Sequence, residues 1–216
     1  MKKNLLFVLL FIIGCESSND SINLSSGNGF SSDFSSGSES STGIGGSMAR
    51  FTIVDDYLYT VDSWTLKSYD ISDQENPVHR DDVDLGWGIE TIFPYNGNLF
   101  IGAQSGMHIY DLEVKETPRW ISTYEHMTSC DPVVVQGDYA FVTLRGGTEC
   151  QGFSNQLDII DISELRNPLL LKTYPMINPH GLGVDENCLF ITEGEFGLKM
   201  YDITNLNNIE LIKHFE

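Results

Sequence analysis

The sequence predicts an all-β fold of the β-propeller type, with four blades of four antiparallel strands each. Three observations support this prediction: one short phrase occurs four times, each occurrence belongs to a unit of roughly 40 residues, and each unit divides into four segments of strand character. The four copies of the phrase are LKSYDIS (66–72), MHIYDLE (107–113), LDIIDIS (157–163) and LKMYDIT (198–204). Self-similarity at this period is typical of repeat architectures.

Turn residues separate the four strands of each unit. In the second unit the strands are predicted at 89–95, 98–104, 107–113 and 119–125, and in the fourth unit at 181–185, 188–194, 198–204 and 209–215. The sequences YNGN (95–98) and QGD (136–138) can supply the positive φ angles of a tight turn between the first and second strands. The sequences ENP (75–77) and RNP (166–168) mark the connection between the third and fourth strands. No stretch shows a helical period.

The third strand is apolar on both of its faces. In the first unit Leu66 and Asp70 point to one face of the sheet, and Tyr69 and Ile71 point to the other. A sheet enclosed between two neighbouring blades needs apolar residues on both faces, whereas a sheet with one wet face alternates more strictly. A solenoid of strands and a β-sandwich are the alternatives, but four units with the same internal turns favour blades.

Two segments precede the repeats. Residues 1–14 place Lys2 and Lys3 before the apolar run 5–13, which predicts a secretory signal peptide that is too short to span a bilayer. The run ends in IIGC, which resembles a bacterial lipobox, so Cys15 is predicted to be the lipidated N-terminus of the mature protein. The alternative is an ordinary signal peptide whose apolar region ends in Gly-Cys.

Residues 15–48 are predicted to form a disordered, flexible linker that tethers the repeats. Of residues 16–48, 19 of 33 are Ser or Gly and none is Lys or Arg, and such a composition buries no core. The repeats fill residues 49–216, as units at 47–85, 86–126, 127–176 and 177–216.

The chain is strongly acidic, with a formal net charge of −19. Such a charge repels the phosphates of nucleic acids and of anionic lipids, which argues against DNA or RNA as a partner. Membrane contact is therefore expected only through a lipid on Cys15, with the domain in the periplasm or on the cell surface and the outer membrane as the expected location.

The repeats resemble the LVIVD repeat family of bacterial envelope proteins, over roughly residues 49–216. Besides the four phrases, the runs SCDPVVVQGDYAFVTLRGGTECQGFSNQLDIIDIS and NPHGLGVDENCLFITEGEFGLKMYDIT carry this resemblance. It implies a propeller-like fold that is often lipid-anchored, and it implies no established activity. Members of the family tend to be longer, so the four units are expected to form either a small closed ring, a partial domain that pairs with another, or a truncated propeller, with an incomplete or truncated ring favoured.

Candidate binding residues collect on one end of the predicted propeller. The links that enter each first strand and the links between second and third strands share this end, which we call the entry face. The third unit carries its extra residues there, at 146–156, and inserted loops on one face of a repeat array often bind ligands. The candidate ligand-binding residues on the entry face are Trp87, Asp131, Arg145, His180 and Glu193.

Two cysteines are also predicted near this end. Cys130 opens the first strand of the third unit and Cys150 lies in the insertion, so a disulfide between them is expected, worth about 3 kcal/mol through loop entropy. Two reduced thiols, or a metal site with His126 or His180, are the alternatives. Cys188 begins a strand and is interpreted as a small buried apolar residue.

The repeated aspartates, Asp70, Asp111, Asp161 and Asp202, are interpreted as turn caps rather than as metal ligands. A carboxylate at the end of a strand accepts backbone N–H bonds from the next turn, and the sequence contains no calcium-loop pattern. No metal and no cofactor is expected, and the common hydrolase motifs are absent from the sequence.

The leading hypothesis is a lipid-anchored envelope protein whose propeller binds a protein or glycan ligand through the entry face, without catalysis. The first alternative is a propeller enzyme that acts on an envelope glycan or polymer through His180 with Glu193 or Asp131. The second is a propeller fragment that docks onto another chain.

Overall fold

The computed structural model of the protein describes residues 48–126, 132–147 and 154–216. These residues form sixteen strands in four separate antiparallel sheets, and their helical content is a single turn of 3-10 helix at Gly194–Phe196. In each sheet the strands are hydrogen-bonded in their order along the chain. The predicted all-β, propeller-like fold is therefore confirmed. No helix among the described residues is long and apolar enough to cross a membrane.

Each sheet is one blade. Blade 1 contains β1 (Phe51–Val54), β2 (Tyr57–Val61), β3 (Thr65–Asp70) and β4 (Val78–Asp84). Blade 2 contains β5 (Ile89–Tyr95), β6 (Asn98–Ala103), β7 (Gly106–Asp111) and β8 (Arg119–Glu125). Blade 3 contains β9 (Val133–Gln136), β10 (Tyr139–Leu144), β11 (Gln156–Asp161) and β12 (Leu169–Pro175). Blade 4 contains β13 (Leu182–Asp185), β14 (Cys188–Thr192), β15 (Leu198–Asp202) and β16 (Glu210–Phe215).

Tight turns join the first two strands of each blade, and the sequence predicts those of blades 2 and 3. Asn96 and Gly97 have φ angles of 45° and 71°, and Gly137 has a φ of 59°. These left-handed angles match the twist of the flanking strands. The corresponding turns of blades 1 and 4 use Asp55 and Glu186, at φ 53° and 48°. The sequence did not indicate these two turns, because neither position is a glycine or an asparagine.

The repeated aspartates cap the turns between third and fourth strands. In blade 3, Oδ1 of Asp161 accepts hydrogen bonds from the backbone N–H of Ser163 at 2.9 Å and from its hydroxyl at 2.6 Å. These bonds stabilise the carboxylate and lower the pKa of Asp161. The backbone part of the cap occurs in the other three blades, at Asp70, Asp111 and Asp202. A carboxylate that is repeated in every blade and bonded to its own turn is a structural element of the repeat.

Blades 1, 2 and 3 each pack their second strand against the next blade. Tyr59, Phe100 and Phe141 occupy the same position in β2, β6 and β10, and their exposed fractions are 0%, 1% and 1%. They lie in two apolar cores, one between blades 1 and 2 and one that continues through blades 2, 3 and 4. Truncating a buried phenylalanine typically costs about 3–5 kcal/mol, so these faces dominate the stability of the array.

Polar contacts fix the angle between successive blades. The hydroxyl of Tyr59 donates to the carbonyl of Lys115 at 2.8 Å, so the turn before β8 lies on blade 1. In the same way, Tyr174 of blade 3 donates to the carbonyl of Leu206 at 2.8 Å. The turn between the third and fourth strands of one blade is therefore held on the body of the blade before it.

The described strands of blade 1 and blade 4 make no extensive contact with each other, whereas each neighbouring pair of blades does. The four blades thus form an open arc. Of the three arrangements that the sequence left open, a small closed ring within one chain is not the one observed. It would require the outer faces of blades 1 and 4 to meet, and residues on those faces remain partly exposed.

Removing the cap in blade 3 tests its structural role. Asp161→Ala is expected to lower the free energy of unfolding by about 1 kcal/mol, because two hydrogen bonds are lost from an exposed turn. Asp161→Asn keeps an acceptor oxygen and should retain most of the stability. Because the pKa of Asp161 is lowered in the folded state, the effect of the alanine should be full above pH 3.8 and should shrink as the pH falls further.

Urea denaturation of the three proteins measures these differences. Added Ca²⁺ should leave the unfolding midpoint of the wild type unchanged. A calcium-dependent rise that disappears in Asp161→Ala would instead identify this carboxylate as a metal ligand.

Candidate functional site

Hydrogen bonds join the two kinds of link that form the entry face. The backbone N–H of His180, before β13, donates to the carbonyl of Thr192, after β14, at 2.8 Å. Gln104 and Gly88 in blade 2, and Thr143 and Pro132 in blade 3, make the corresponding backbone bonds. The described links of the entry face are thus held in place by the sheets below them.

Arg145 and His180 meet on this face. Arg145 follows β10 and His180 precedes β13, so each is positioned by a different blade. Nη1 of Arg145 donates to Nδ1 of His180 at 2.7 Å and lies 3.2 Å from its Nε2. Burial and the charge of Arg145 both lower the pKa of His180, and the imidazole is therefore neutral at pH 7.

A turn of blade 4 closes over the histidine. Gly194 has a φ of 60°, and a Cβ at this position would lie 2.9 Å from Nε2 of His180. Any larger residue would be strained and would push into the imidazole. The close approach keeps the imidazole in place beside Arg145.

A cavity of about 140 Å³ opens beside this pair. It is lined by residues of all four blades: Met48, Arg50, Glu90, Thr91, Pro132, Arg145, Pro179 and His180. Among the described residues, two arginines and one glutamate line it, so these lining residues carry more positive than negative charge although the chain as a whole is acidic. A cavity of this size accommodates one polar group of a larger ligand, since sites for whole drug-sized ligands are typically about 300 Å³ or more.

Glu193 lies at the same end but faces inward. Its side chain is fully buried, its Oε1 accepts the backbone N–H of Ile177 at 2.9 Å, and its Oε2 forms an ion pair with Nζ of Lys199. Lys199 retains only 12% of its side-chain exposure. Glu193 thus anchors the link between blades 3 and 4, and this carboxylate is already occupied by protein partners.

Two exposed tryptophans lie on the part of the entry face that belongs to blades 1 and 2. Trp87, which the sequence indicated, is 58% exposed and does not line the cavity. Trp64 is 59% exposed and lies in the link between β2 and β3. The backbone N–H of Leu85 donates to the carbonyl of Trp64 at 2.8 Å, so the links that carry the two indoles are joined. Exposed large apolar side chains grouped on a functional face are typical of contact surfaces.

The insertion of the third unit is closed at its base by Asn155. Oδ1 of Asn155 accepts the backbone N–H of Gly146 at 3.0 Å, and Nδ2 donates to the carbonyl of Ile177 at 2.5 Å. Residues 148–153 and 127–131, which include Cys130, Asp131 and Cys150, lie outside the described residues, and so does Cys15. The predicted disulfide, the predicted lipidation and the role of Asp131 remain predictions.

Cys188 departs from its interpretation as a merely apolar residue. It begins β14 and is 8% exposed, as expected, but its sulfur is disulfide-bonded. The sequence did not indicate this, because the spacing of four cysteines does not determine which of them pair.

The site contains residues that sequence reasoning missed. Arg50 precedes β1 and belongs to no repeated phrase, Glu90 lies inside a strand, and Lys199 is part of the fourth phrase. Only Lys199 carried a usable signal, since a charged residue within an apolar phrase of an enclosed strand requires a partner. Among the described residues, no three His, Cys, Asp or Glu side chains come together as a metal site.

Residues 129–175, which include most of blade 3, match the family model of the LVIVD repeat. The resemblance to this repeat is thus confirmed for the third unit. The sequence matches none of the curated proteins.

Two solved structures are similar in fold. The periplasmic gluconolactonase PpgL of Pseudomonas aeruginosa aligns with a TM-score of 0.61 at 11% identity, over 75% of this chain and 50% of that chain. The present chain therefore spans half the length of that protein. A chain in the S. cerevisiae complex of dbp5 with nup159, gle1, IP6 and ADP aligns with a TM-score of 0.50 at 10% identity, over 74% of this chain and 41% of that chain. At these identities the likeness shows the fold alone.

The buried ion pair is the basis of a stability prediction. Lys199→Met is expected to lower the free energy of unfolding by about 3 kcal/mol, because it leaves the Glu193 carboxylate buried without its counter-charge. Adding Glu193→Gln should restore most of this loss, since the amide oxygen can still accept from Ile177 and no charge remains unpaired. Urea denaturation with fluorescence detection measures both changes.

Lys172→Met is the matched control, because Lys172 is exposed on β12 and its replacement should change the stability very little. If the double variant were as unstable as Lys199→Met, the loss would come from packing of the lysine stem rather than from the unpaired carboxylate.

Proposed function

We propose that this chain, in which an LVIVD repeat lies within an open arc of four blades, is the binding domain of a lipid-anchored envelope protein, and that it takes an acidic glycan on its entry face. The observation that carries the proposal is the cavity in which Arg50, Arg145 and His180 converge from three different blades. The proposal assigns recognition, and not catalysis, to this face.

The cavity supplies both kinds of hydrogen-bonding group that an acidic sugar needs. The guanidinium groups of Arg50 and Arg145 have the planar geometry that binds a carboxylate through two parallel bonds. Glu90 provides carboxylate oxygens that can accept from sugar hydroxyls in the same walls. The volume of about 140 Å³ suits one carboxylate-bearing group of a polymer, with the remainder of the ligand lying outside.

The exposed indoles of Trp64 and Trp87 give the part of the ligand outside the cavity a contact surface. Trp64 and Trp87 present large, rigid apolar faces on the entry face, where a charged polymer would otherwise meet an acidic surface. Aromatic rings combine a large apolar area with little conformational entropy to lose on binding. An acidic glycan can use both features, since its rings have apolar faces and its carboxylates carry charge.

The state of His180 favours binding over acid–base chemistry. Its Nδ1 already accepts a hydrogen bond from Arg145, and its Nε2 lies 3.2 Å from the same guanidinium nitrogen. Proton abstraction requires a free lone pair within reach of the substrate. The buried carboxylate of Glu193, paired with Lys199, is likewise not directed at the cavity.

A second candidate function comes from the fold likeness to PpgL, which is a gluconolactonase. In this alternative the entry face hydrolyses a sugar lactone, whose product carries the carboxylate that the arginines would bind. The likeness covers only half of that protein, so the activity of the whole enzyme is a hypothesis here.

The membrane part of the proposal depends on Cys15. The predicted signal peptide ends at this cysteine and the predicted tether follows it, so a lipid on Cys15 would hold the arc at the envelope surface while the acidic domain remains in water.

Glucuronate binding tests the proposed site. Arg145→Gln is expected to weaken the affinity for glucuronic acid oligosaccharides about tenfold or more, because a charge-assisted hydrogen bond contributes about 1.5–3 kcal/mol. Arg119→Gln makes the same change of charge on exposed β8 and should leave the affinity unchanged. Isothermal titration measures both, and the matching neutral glucose oligosaccharides should bind much more weakly to the wild type.

The affinity for glucuronic acid oligosaccharides in the same titration is expected to depend on pH. An anion in the cavity stabilises protonated His180, whose pKa is lowered in the free protein, so affinity should increase as the pH falls below 6.5. This increase should be absent in His180→Gln. If instead the wild type hydrolyses gluconolactone faster than the spontaneous rate and His180→Gln does not, the enzymatic alternative holds and the binding proposal is wrong.

Labelling with palmitate tests the anchor. The wild-type chain expressed in a bacterium is expected to incorporate label and to fractionate with membranes, whereas Cys15→Ser should lose both properties, since no acceptor thiol remains at the predicted cleavage site. The matched control is Cys188→Ser, which should retain the label. Label that persists in Cys15→Ser would contradict the predicted lipidation.

A further inference from the structure

The last blade presents an apolar face that no described part of the chain covers. Phe190 of β14 pairs with Met200 of β15, just as Phe141 pairs with Ile159 in blade 3. Phe141 and Ile159 are 1% and 0% exposed because blade 4 lies over them, whereas Phe190 and Met200 are only half-buried. We call this surface, formed by Phe190, Leu198, Met200 and Phe215, the trailing face.

The first blade presents the face that, in the later blades, packs against the preceding blade. Leu58 of β2 pairs with Tyr69 of β3, and the equivalent pair in blade 2 is Leu99 with Tyr110. Leu99 and Tyr110 are 0% and 5% exposed because they pack against blade 1. The equivalent residues of blade 1 are half-buried. We call this surface, formed by Phe51, Ile53, Leu58, Thr60 and Tyr69, the leading face.

The two faces are the two halves of one repeated interface. Between blades 1 and 2, Tyr59 and Leu66 of the earlier blade pack against Leu99 and Ile101 of the later one. On the trailing face, Phe190 and Leu198 occupy the positions of Tyr59 and Leu66. On the leading face, Leu58 occupies the position of Leu99. The two uncovered faces therefore match three of these four positions, and the fourth, equivalent to Ile101, is Thr60, which is paired with Lys67.

We propose that the trailing face of one copy packs on the leading face of a second copy, so that two arcs close a ring of eight blades. A twofold axis relates the copies, since the contact of Phe190 on the partner's Leu58 is then repeated by the partner's Phe190 on Leu58. Closure removes both apolar faces from water, and eight blades lie within the usual range for propellers.

Polar groups of blade 1 support the same docking. In the later blades the turn before the fourth strand is held on the preceding blade through the carbonyls of Lys115, Leu165 and Leu206. The equivalent residue in blade 1 is Gln74, whose turn is exposed. In the fourth strand of a second copy, Lys213 occupies the position of Ser122, which donates to Leu165 at 2.5 Å, and would be the donor next to this carbonyl.

The full chain, isolated in detergent, is expected to have a protein mass of two chains by light scattering. Phe190→Glu alters only the trailing face and Leu58→Lys only the leading face, so each variant alone should have the mass of one chain. Mixing the two variants should restore the two-chain mass, because one interface then joins two unaltered faces and the other joins Glu with Lys. Trp120→Glu, on an exposed position of β8 away from both faces, should not change the mass.

Circular dichroism and the melting temperature establish that each variant remains folded, because both substituted residues are at the surface of a single arc. A wild type with the mass of one chain overturns the proposal. A two-chain mass that survives both substitutions, or folded variants whose mixture stays at one chain, overturns it equally. The test does not use the glycan, so its outcome is independent of the proposed binding function.

Discussion

The contact between successive blades is the interaction on which the rest of this structure depends. A four-stranded blade has two apolar faces, and a sheet of this size can hide neither of them by itself. Tyr59, Phe100 and Phe141 each cross from one blade to the next, and the turn of the later blade is fixed on the earlier one by a hydroxyl of Tyr59 or Tyr174. The stability of the array therefore depends on contacts between neighbouring blades, and each blade at an end of the arc packs only one of its two apolar faces.

In this fold the residues that recur in every blade have structural roles, whereas the residues of the proposed site do not recur. The capping aspartates recur at the same position of every blade and are occupied by their own turns, and this leaves them unsuited to binding a ligand. The residues that line the cavity occur once each, and the links that carry them differ in length and sequence from blade to blade. A repeat supplies a rigid support, and a site arises where the links depart from it.

The sequence predicted the features that depend on residues close together along the chain. The strands of blade 2, the positive φ of Asn96 and Gly97, and the caps follow from period and turn chemistry within a few residues. The sequence placed Arg145 and His180 on the same face. It did not predict their contact at 2.7 Å, because the two residues belong to different blades. The inward orientation of Glu193 depends on Lys199, which lies on the neighbouring strand, and no pattern in the sequence connects the two. Arg50 was missed because it reaches the cavity from the segment before the first strand.

The electrostatics of the site and the assembly of the arc are connected. A net charge of −19 on the chain repels an acidic ligand at long range, but at physiological ionic strength this repulsion is screened beyond about 8 Å. Within that distance a ligand meets the guanidinium groups of Arg50 and Arg145 together with the carboxylate of Glu90, which are the charged groups among the described residues that line the cavity. A closed ring of two arcs would contain two such cavities, each with its own two arginines. An acidic polymer would then be bound at two places in one assembly, while the net negative charge of the chains repels it elsewhere.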